Sequence, residues 1–208
     1  PKHCNQFLKV FLTLAIILTA YIGDIIVFRS KYSYSLTFRA ITDSLVHASV
    51  GFLSSLIFFS HDNNLNIQIS AFNVTFCTLV SSLIDVDHAF VAKSIHLKDM
   101  TNLKNRGIFH CTTFWLLITS LILLYSYLEK KLNLYLLTFM LILAYSSHHI
   151  RDGNRRGLWF YPFGSSPPID KNLYLFLVAM LPHVIACVYQ MGKGSFTKSF
   201  ASDYSLVV

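Results

Sequence analysis

Six long apolar runs limit what this chain can become more than any other feature: Phe7–Phe28, Ile41–Phe59, Ile67–Phe90, Ile108–Leu128, Leu132–Ile150 and Leu173–Met191. Each is close to the roughly 20 residues that a helix needs to cross a bilayer's hydrocarbon. A bilayer interior offers no partner to an open backbone, so only helices and closed barrels span it. The runs are far longer than the roughly 10 residues of a barrel strand. The connections (Arg29–Ala40, Ser60–Asn66, Val91–Gly107, Glu129–Lys131 and Arg151–Asn172) leave no room for a separate soluble domain. The expectation is an all-α fold, a polytopic membrane helical bundle of about six transmembrane helices. It forms a single membrane-embedded domain over residues 1–208, without an internal repeat or inverted symmetry.

Composition agrees. Hydrophobic residues make up 54% of the chain and charged residues 13%, against roughly 25% charged in a soluble domain, which excludes a soluble globular enzyme. The net charge of +7 is assigned to basic residues at the membrane faces, with no nucleic-acid partner. Cys4, Cys77, Cys111 and Cys187 form no CxxC pair and read as small apolar packers. Asn73-Val74-Thr75 matches a glycosylation acceptor but sits inside an apolar run. Phe7–Phe28 has no small-residue cleavage site and reads as a retained signal anchor. The first residue is Pro1 and not Met, which leaves room for an upstream stretch.

Six spans put both termini on one face, side A, with the Ser60–Asn66 and Glu129–Lys131 loops; the other three loops lie on side B. Side A carries six Lys and Arg and side B eleven, so the positive-inside rule puts side B in the cytoplasm. Four of those eleven (Arg106, Arg151, Arg155 and Arg156) belong to the polar motifs below; without them the count is seven against six.

An ionisable residue in a span is costly and by default functional. Here five successive runs carry such residues at their side-B ends: Asp24; Asp43 and His47; Asp85, Asp87 and His88; Arg106 and His110; His148, His149 and Asp152. The pairs Asp43/His47, Arg106/His110 and His148/Asp152 are spaced i,i+4, and Asp85/His88 and His149/Asp152 i,i+3, so each pair shares a helix face. Helical bundles build metal sites by aiming such side chains at one point. Imidazole and carboxylate suit a divalent metal, zinc first among them, which generates hydroxide at neutral pH. Glu129 is the chain's only Glu and lies on side A, so a base on side B is Asp or His. Arg106, Arg155 and Arg156 suit a phosphate, which guanidinium binds bidentately.

Plain structural readings exist for the same residues. Asp43 can cap a helix, His148 can complement a helix dipole, and His61 and His96 fit ordinary loop residues. His183, after Pro182 in mid-span, fits a kink or packing role. Trp159, Tyr161, Pro162, Pro167 and Pro168 in the Arg151–Asn172 loop suit either a lid over the site or an interfacial anchor.

The segments Ser82–His88, Asn105–Thr112, Ser147–Gly153 and Gly157–Gly164 closely resemble the eukaryotic transmembrane protein 267 family. More distantly they resemble bacterial inner-membrane proteins grouped as membrane-bound metal-dependent hydrolases, with Leu181-Pro182-His183 as a further echo. Those proteins show an early His, an Asp-x-Asp-His segment, a His-Arg-Gly-x-x-His segment and a His-x-x-x-Asp segment. The resemblance implies metal ligands at His47, Asp85, His88, His110 and His148, and catalytic carboxylates at Asp87 and Asp152. It also implies an integral multi-pass protein of a eukaryotic endomembrane. Where the bacterial motif has its first His this chain has Asn105, a poor zinc ligand. His149 cannot simply replace it, because adjacent helix residues point about 100° apart. Three functions therefore stand: a metal-dependent hydrolase acting on a phospholipid or other phosphorylated amphiphile; an inactive scaffold, with a membrane-protein partner, that retains a degenerate site; and, last, a transporter.

Overall fold

A computed structural model of the chain describes residues 2–62, 66–101, 103 and 106–205; Asn105 and the side chain of Cys4 lie outside this description. Helices α1 (Lys2–Arg29), α2 (Leu36–Phe59) and α3 (Ile67–Leu83) lead into a 3-10 turn at Ile84–Val86 and the short helices α4 (Asp87–Ala92) and α5 (Leu97–Met100). A second 3-10 turn, Ile108–His110, precedes α6 (Thr112–Leu128) and α7 (Leu132–Arg156). A two-residue hairpin, β1 (Trp159–Phe160) with β2 (Gly164–Ser165), then connects to α8 (Lys171–Ser205). The fold is an all-α bundle.

Among the described residues, four segments are long and apolar enough to cross a membrane by length and composition: Asn5–Arg29, Leu36–Phe59, Ile67–Ala92 and Lys171–Gly194. The other two expected spans differ from this pattern. Helix α6 is apolar but has 17 residues, about 25 Å at 1.5 Å per residue. Helix α7 is 25 residues long, and its last turns hold His148, His149, Arg151, Asp152, Arg155 and Arg156. It tolerates them because α2, α3, α6 and α8 all pack against it. The outer faces carry exposed Phe11, Leu14, Leu18, Leu117, Leu121 and Leu124, as a lipid-facing surface requires. Between helices in lipid, close packing and polar contacts replace the hydrophobic effect as the source of association. Two apolar clusters supply the packing, one around Met140, Leu143, Phe58 and Tyr189 and the other around Ile16, Ala20, Val50 and Val178.

Several boundaries move from their expected places. Ser35, not Asp43, caps α2, its side chain accepting from the Phe38 amide, so Asp43 lies inside the helix. The third run breaks at Ile84–Val86, between α3 and α4. The fourth run begins as a 3-10 turn, so Arg106 and His110 do not share a helix face. Pro182 sits within α8, which continues through it.

Polar contacts lock the bundle at both ends. On side B, Arg151 is 1% exposed and joins α7 to α1 and α2: its Nε donates to Asp24 Oδ1 at 3.0 Å, and its Nη1 lies 2.7 Å from Asp43 Oδ1. Tyr174 of α8 donates to the other Asp24 oxygen at 2.5 Å. On side A, Lys9 Nζ contacts His61 Nδ1 at 3.3 Å, His61 Nε2 contacts His183 Nδ1 at 2.9 Å, and His183 Nε2 contacts Thr13 Oγ1 at 2.8 Å. Thr13 in turn donates to the Lys9 carbonyl. A charged Lys9 only donates, so the chain runs in one direction and needs both imidazoles neutral. His61 therefore belongs to a packing contact and is not a free loop residue, and His183 has the packing role.

Removing Arg151 takes the buried guanidinium from two carboxylates, leaving Asp24 only the Tyr174 hydroxyl and Asp43 the more distant Arg155. Arg151→Gln is expected to cost about 3 kcal/mol, seen as a lower Tm in detergent, and adding Asp24→Asn and Asp43→Asn should restore part of it. Burial, then Lys9 and His183, push the His61 pKa down to about 4. An imidazole with a lowered folded pKa contributes stability that is complete above its unfolded pKa and is lost as pH falls toward the folded one. Tm is therefore expected to fall from about pH 6.5 to about pH 4, and His61→Gln should flatten that part of the profile.

Candidate metal centre

The site forms where the side-B ends of α2, α3 and α7 meet the two 3-10 turns. Ser81 of α3 ties the first three together. Its hydroxyl donates to the His47 carbonyl at 2.9 Å, and its carbonyl lies 2.8 Å from His148 Nδ1. Gly51 makes this possible, since a Cβ there would stand 2.6 Å from the Ser81 Cβ. The His47 and His148 rings stack 3.7 Å apart.

The second tie is Asp87, which is 2% exposed. It accepts from the Phe109 amide at 3.0 Å, and its other oxygen lies 3.0 Å from His110 Nδ1. Gly107 makes room for it: a Cβ there would stand 2.1 Å from Asp87 Oδ2. With Nδ1–H donated to Asp87 or to the Ser81 carbonyl, His110 and His148 carry their lone pairs on Nε2.

Those Nε2 atoms converge. His110 Nε2 lies 3.3 Å from Asp85 Oδ1 and 3.6 Å from Asp152 Oδ2; His148 Nε2 lies 3.5 Å and 3.7 Å from the same two oxygens. All four donor atoms are within 4.8 Å of one another. A zinc tetrahedron with bonds of about 2.05 Å has edges of about 3.3 Å. His47 Nε2 stands beside this group, 3.4 Å from Asp152 Oδ1 and 4.0 Å from Asp85 Oδ2, and forms a neighbouring group with Asp43 and Asp85. The Nε2 atoms of His47, His110 and His148 are all buried without a hydrogen bond, an expensive arrangement unless something fills it. The donors present fit a divalent ion.

Electrostatics point the same way. Asp85, Asp87 and Asp152 each bring a carboxylate oxygen within 3.6 Å of a His110 ring nitrogen. The convergent carboxylates demand positive charge at this point, whether from a proton or a metal ion.

A cavity of about 200 Å³ opens onto Asp85, His110 and Asp152. Its rim carries Arg39, Arg106, Arg155 and Arg156, with Leu97, Met100 and Thr101 from the α5 segment. Arg155 pairs with Asp152 and, at 3.7 Å, with Asp43. Arg106 is partly held by the backbone, donating to the Gly157 carbonyl at 2.9 Å and the Arg156 carbonyl at 2.6 Å. Burial, then Arg156, lower its pKa.

Of the residues singled out from sequence, His47, Asp85, His110, His148 and Asp152 come together. Asp87 stands behind His110 with both oxygens engaged, so it orients an imidazole and does not face the cavity. His88 also lines the cavity, its Nδ1 3.0 Å from the Asp85 carbonyl and 3.7 Å from both Asp85 Oδ1 and Asp87 Oδ1, and with Asp87 and His110 it forms a second group that could hold an ion. His149 points away, toward the Phe109 carbonyl and Thr112. The hairpin lies beside α6, with Trp159 bridged to Cys111, while α5 supplies the cavity's outer wall. Sequence reasoning missed the burial of Arg151 and the roles of Ser81 and Gly107. The unpaired acids Asp24 and Asp43 at the same end were the available signal for Arg151.

No family model matches the chain, and no solved structure matches it. It is 36% identical to Transmembrane protein 267 of Xenopus laevis over 151 residues, covering 72% of this chain and 68% of that protein. Against the Danio rerio protein of the same name it is 38% identical over 152 residues, covering 73% and 67%. Against that of Mus musculus it is 31% identical over 169 residues, covering 81% and 76%. With its apolar helices, this chain is a multi-pass integral membrane protein that belongs to the Transmembrane protein 267 family.

Proposed function

We propose that this protein is a membrane-embedded metal-dependent hydrolase that cleaves a phosphate ester of an amphiphile at the side-B face. The observation that carries this reading is the convergence of His110 and His148 Nε2, buried without a hydrogen bond, on the Asp85 and Asp152 carboxylates, with Asp85, His110 and Asp152 lining an arginine-rimmed cavity. The motif likeness to bacterial membrane-bound metal-dependent hydrolases points in the same direction.

His110, His148, Asp85 and Asp152 would hold the ion, with His47 beside them. A bound zinc ion would supply a water of lowered pKa and a Lewis acid for the phosphoryl oxygen. The chain's own residues do the rest. Arg155 and Arg156 hold the phosphate in bidentate contacts, and Arg106 closes the rim. Asp87 keeps His110 in its ligating tautomer. The membrane position favours a lipid partner over a soluble metabolite.

One observation favours the scaffold reading, with a membrane-protein partner. Both Arg106 amino groups already bond backbone carbonyls, so this arginine also serves to hold the turn before α6 against the end of α7.

Elemental analysis of detergent-purified protein is expected to find about one divalent ion per chain. His148→Ala and His110→Ala should each lose it, and phosphate-ester hydrolysis should fall by at least about 100-fold. Wild-type protein without stoichiometric metal would end this reading. So would rescue of a null cell by a His110→Gln protein that binds no metal.

A further inference from the structure

Arg106 lines two hollows at once. One is the polar cavity over the cluster. The other is a groove of about 850 Å³ between α6 and the hairpin, walled by Ile108, Phe114, Leu117, Trp159 and Tyr161. We propose that this groove holds an acyl chain of a phospholipid from the surrounding leaflet while its phosphate rests on the arginine rim, with Arg106 at the junction. The inference rests on the hydrolase reading for what happens to the phosphate, but the binding it describes is separate from turnover.

The groove's volume falls within the roughly 300–1,000 Å³ of ligand pockets. Its lining is mostly apolar, and Ile108 and Leu117 are 55% and 60% exposed, so it opens toward lipid. Trp159 and Tyr161 are the amphipathic rings that favour headgroup depth. Its outer wall is fixed, because the hairpin's base is held by the Ser166 amide donating to the Leu158 carbonyl at 2.8 Å and the Leu158 amide donating to Ser166 Oγ at 2.8 Å. Arg106, bound to the Gly157 carbonyl, fixes that wall against the cavity. A cationic rim continuous with an apolar groove matches a ligand that is anionic at one end and hydrocarbon at the other. A soluble phosphate ester would use the cavity and leave the groove unexplained. This also gives the hairpin a role as the wall of a lipid site and not as a lid.

The chain's two tryptophans make the proposal testable. Trp159 walls the groove, while Trp115 stacks on Tyr145 5.5 Å away. Full-length protein in unbrominated detergent is titrated with phosphatidic acid brominated on its acyl chains, and the Trp159→Phe variant isolates that residue's signal. Saturable quenching of Trp159 at low mole fraction is expected. Brominated diacylglycerol, which lacks the phosphate, and the Arg106→Gln variant should each bind at least about tenfold more weakly. Native mass spectrometry should show phospholipid retained by wild type and lost from Arg106→Gln, with both proteins equally helical. Quenching that rises linearly and equally for both lipids would overturn the proposal, as would a stoichiometric co-purifying protein that blocks it. His148→Ala should keep the saturable quenching. Binding without hydrolysis would end the hydrolase reading alone, and hydrolysis of a short-chain soluble ester without saturable quenching would end this proposal alone.

Discussion

Carboxylates gathered near a membrane face must find positive charge or hydrogen-bond donors, and this bundle is arranged around that requirement. Its side-B acids divide into two sets. Asp24 and Asp43 face α7 from α1 and α2 and are met by Arg151. Asp85, Asp87 and Asp152 converge instead on the imidazole of His110. The first set is satisfied by a buried guanidinium, which cannot give up its proton in a protein. The second is left facing groups that can exchange a proton for a metal. The two sets thus each draw on one of two neighbouring residues of one helix, Arg151 and Asp152.

That division depends on helix geometry. Arg151 and Asp152 are adjacent and so point about 100° apart around α7. One turns to α1 and α2, the other to the cavity beside His148. The same offset sends His149 toward the turn before α6, where it meets the Phe109 carbonyl. A single polar helix end thereby serves three neighbours. It can be polar because α2, α3, α6 and α8 keep it from lipid.

Much of the candidate site was legible in the order of residues. Asp43 and His47, and His148 and Asp152, lie on unbroken helix, where a spacing of four fixes a shared face. The reading went astray where helix gave way to 3-10 turns. Asp85 and His88 stay in contact across the Ile84–Val86 turn, at 3.7 Å, while Asp87, two residues from Asp85, points elsewhere and supports His110. At Ile108–His110 the backbone is not α-helical, so the spacing of Arg106 and His110 carried no information about a common face. Turns of three residues lie below what periodicity can resolve.

The linear chain by itself determined the solvent in which this protein folds, the number of long helices and the end of the bundle where its ionisable groups gather. Each of these follows from apolar length and from the cost of charge in hydrocarbon, which are properties of segments. Only the tertiary structure decided which carboxylate meets a guanidinium, which meets an imidazole, and which hollow Arg106 joins to which. Those outcomes depend on contacts between helices far apart in sequence, such as Asp24 with Arg151 and Ser81 with His148. No spacing along one segment encodes where another segment's side chains will stand.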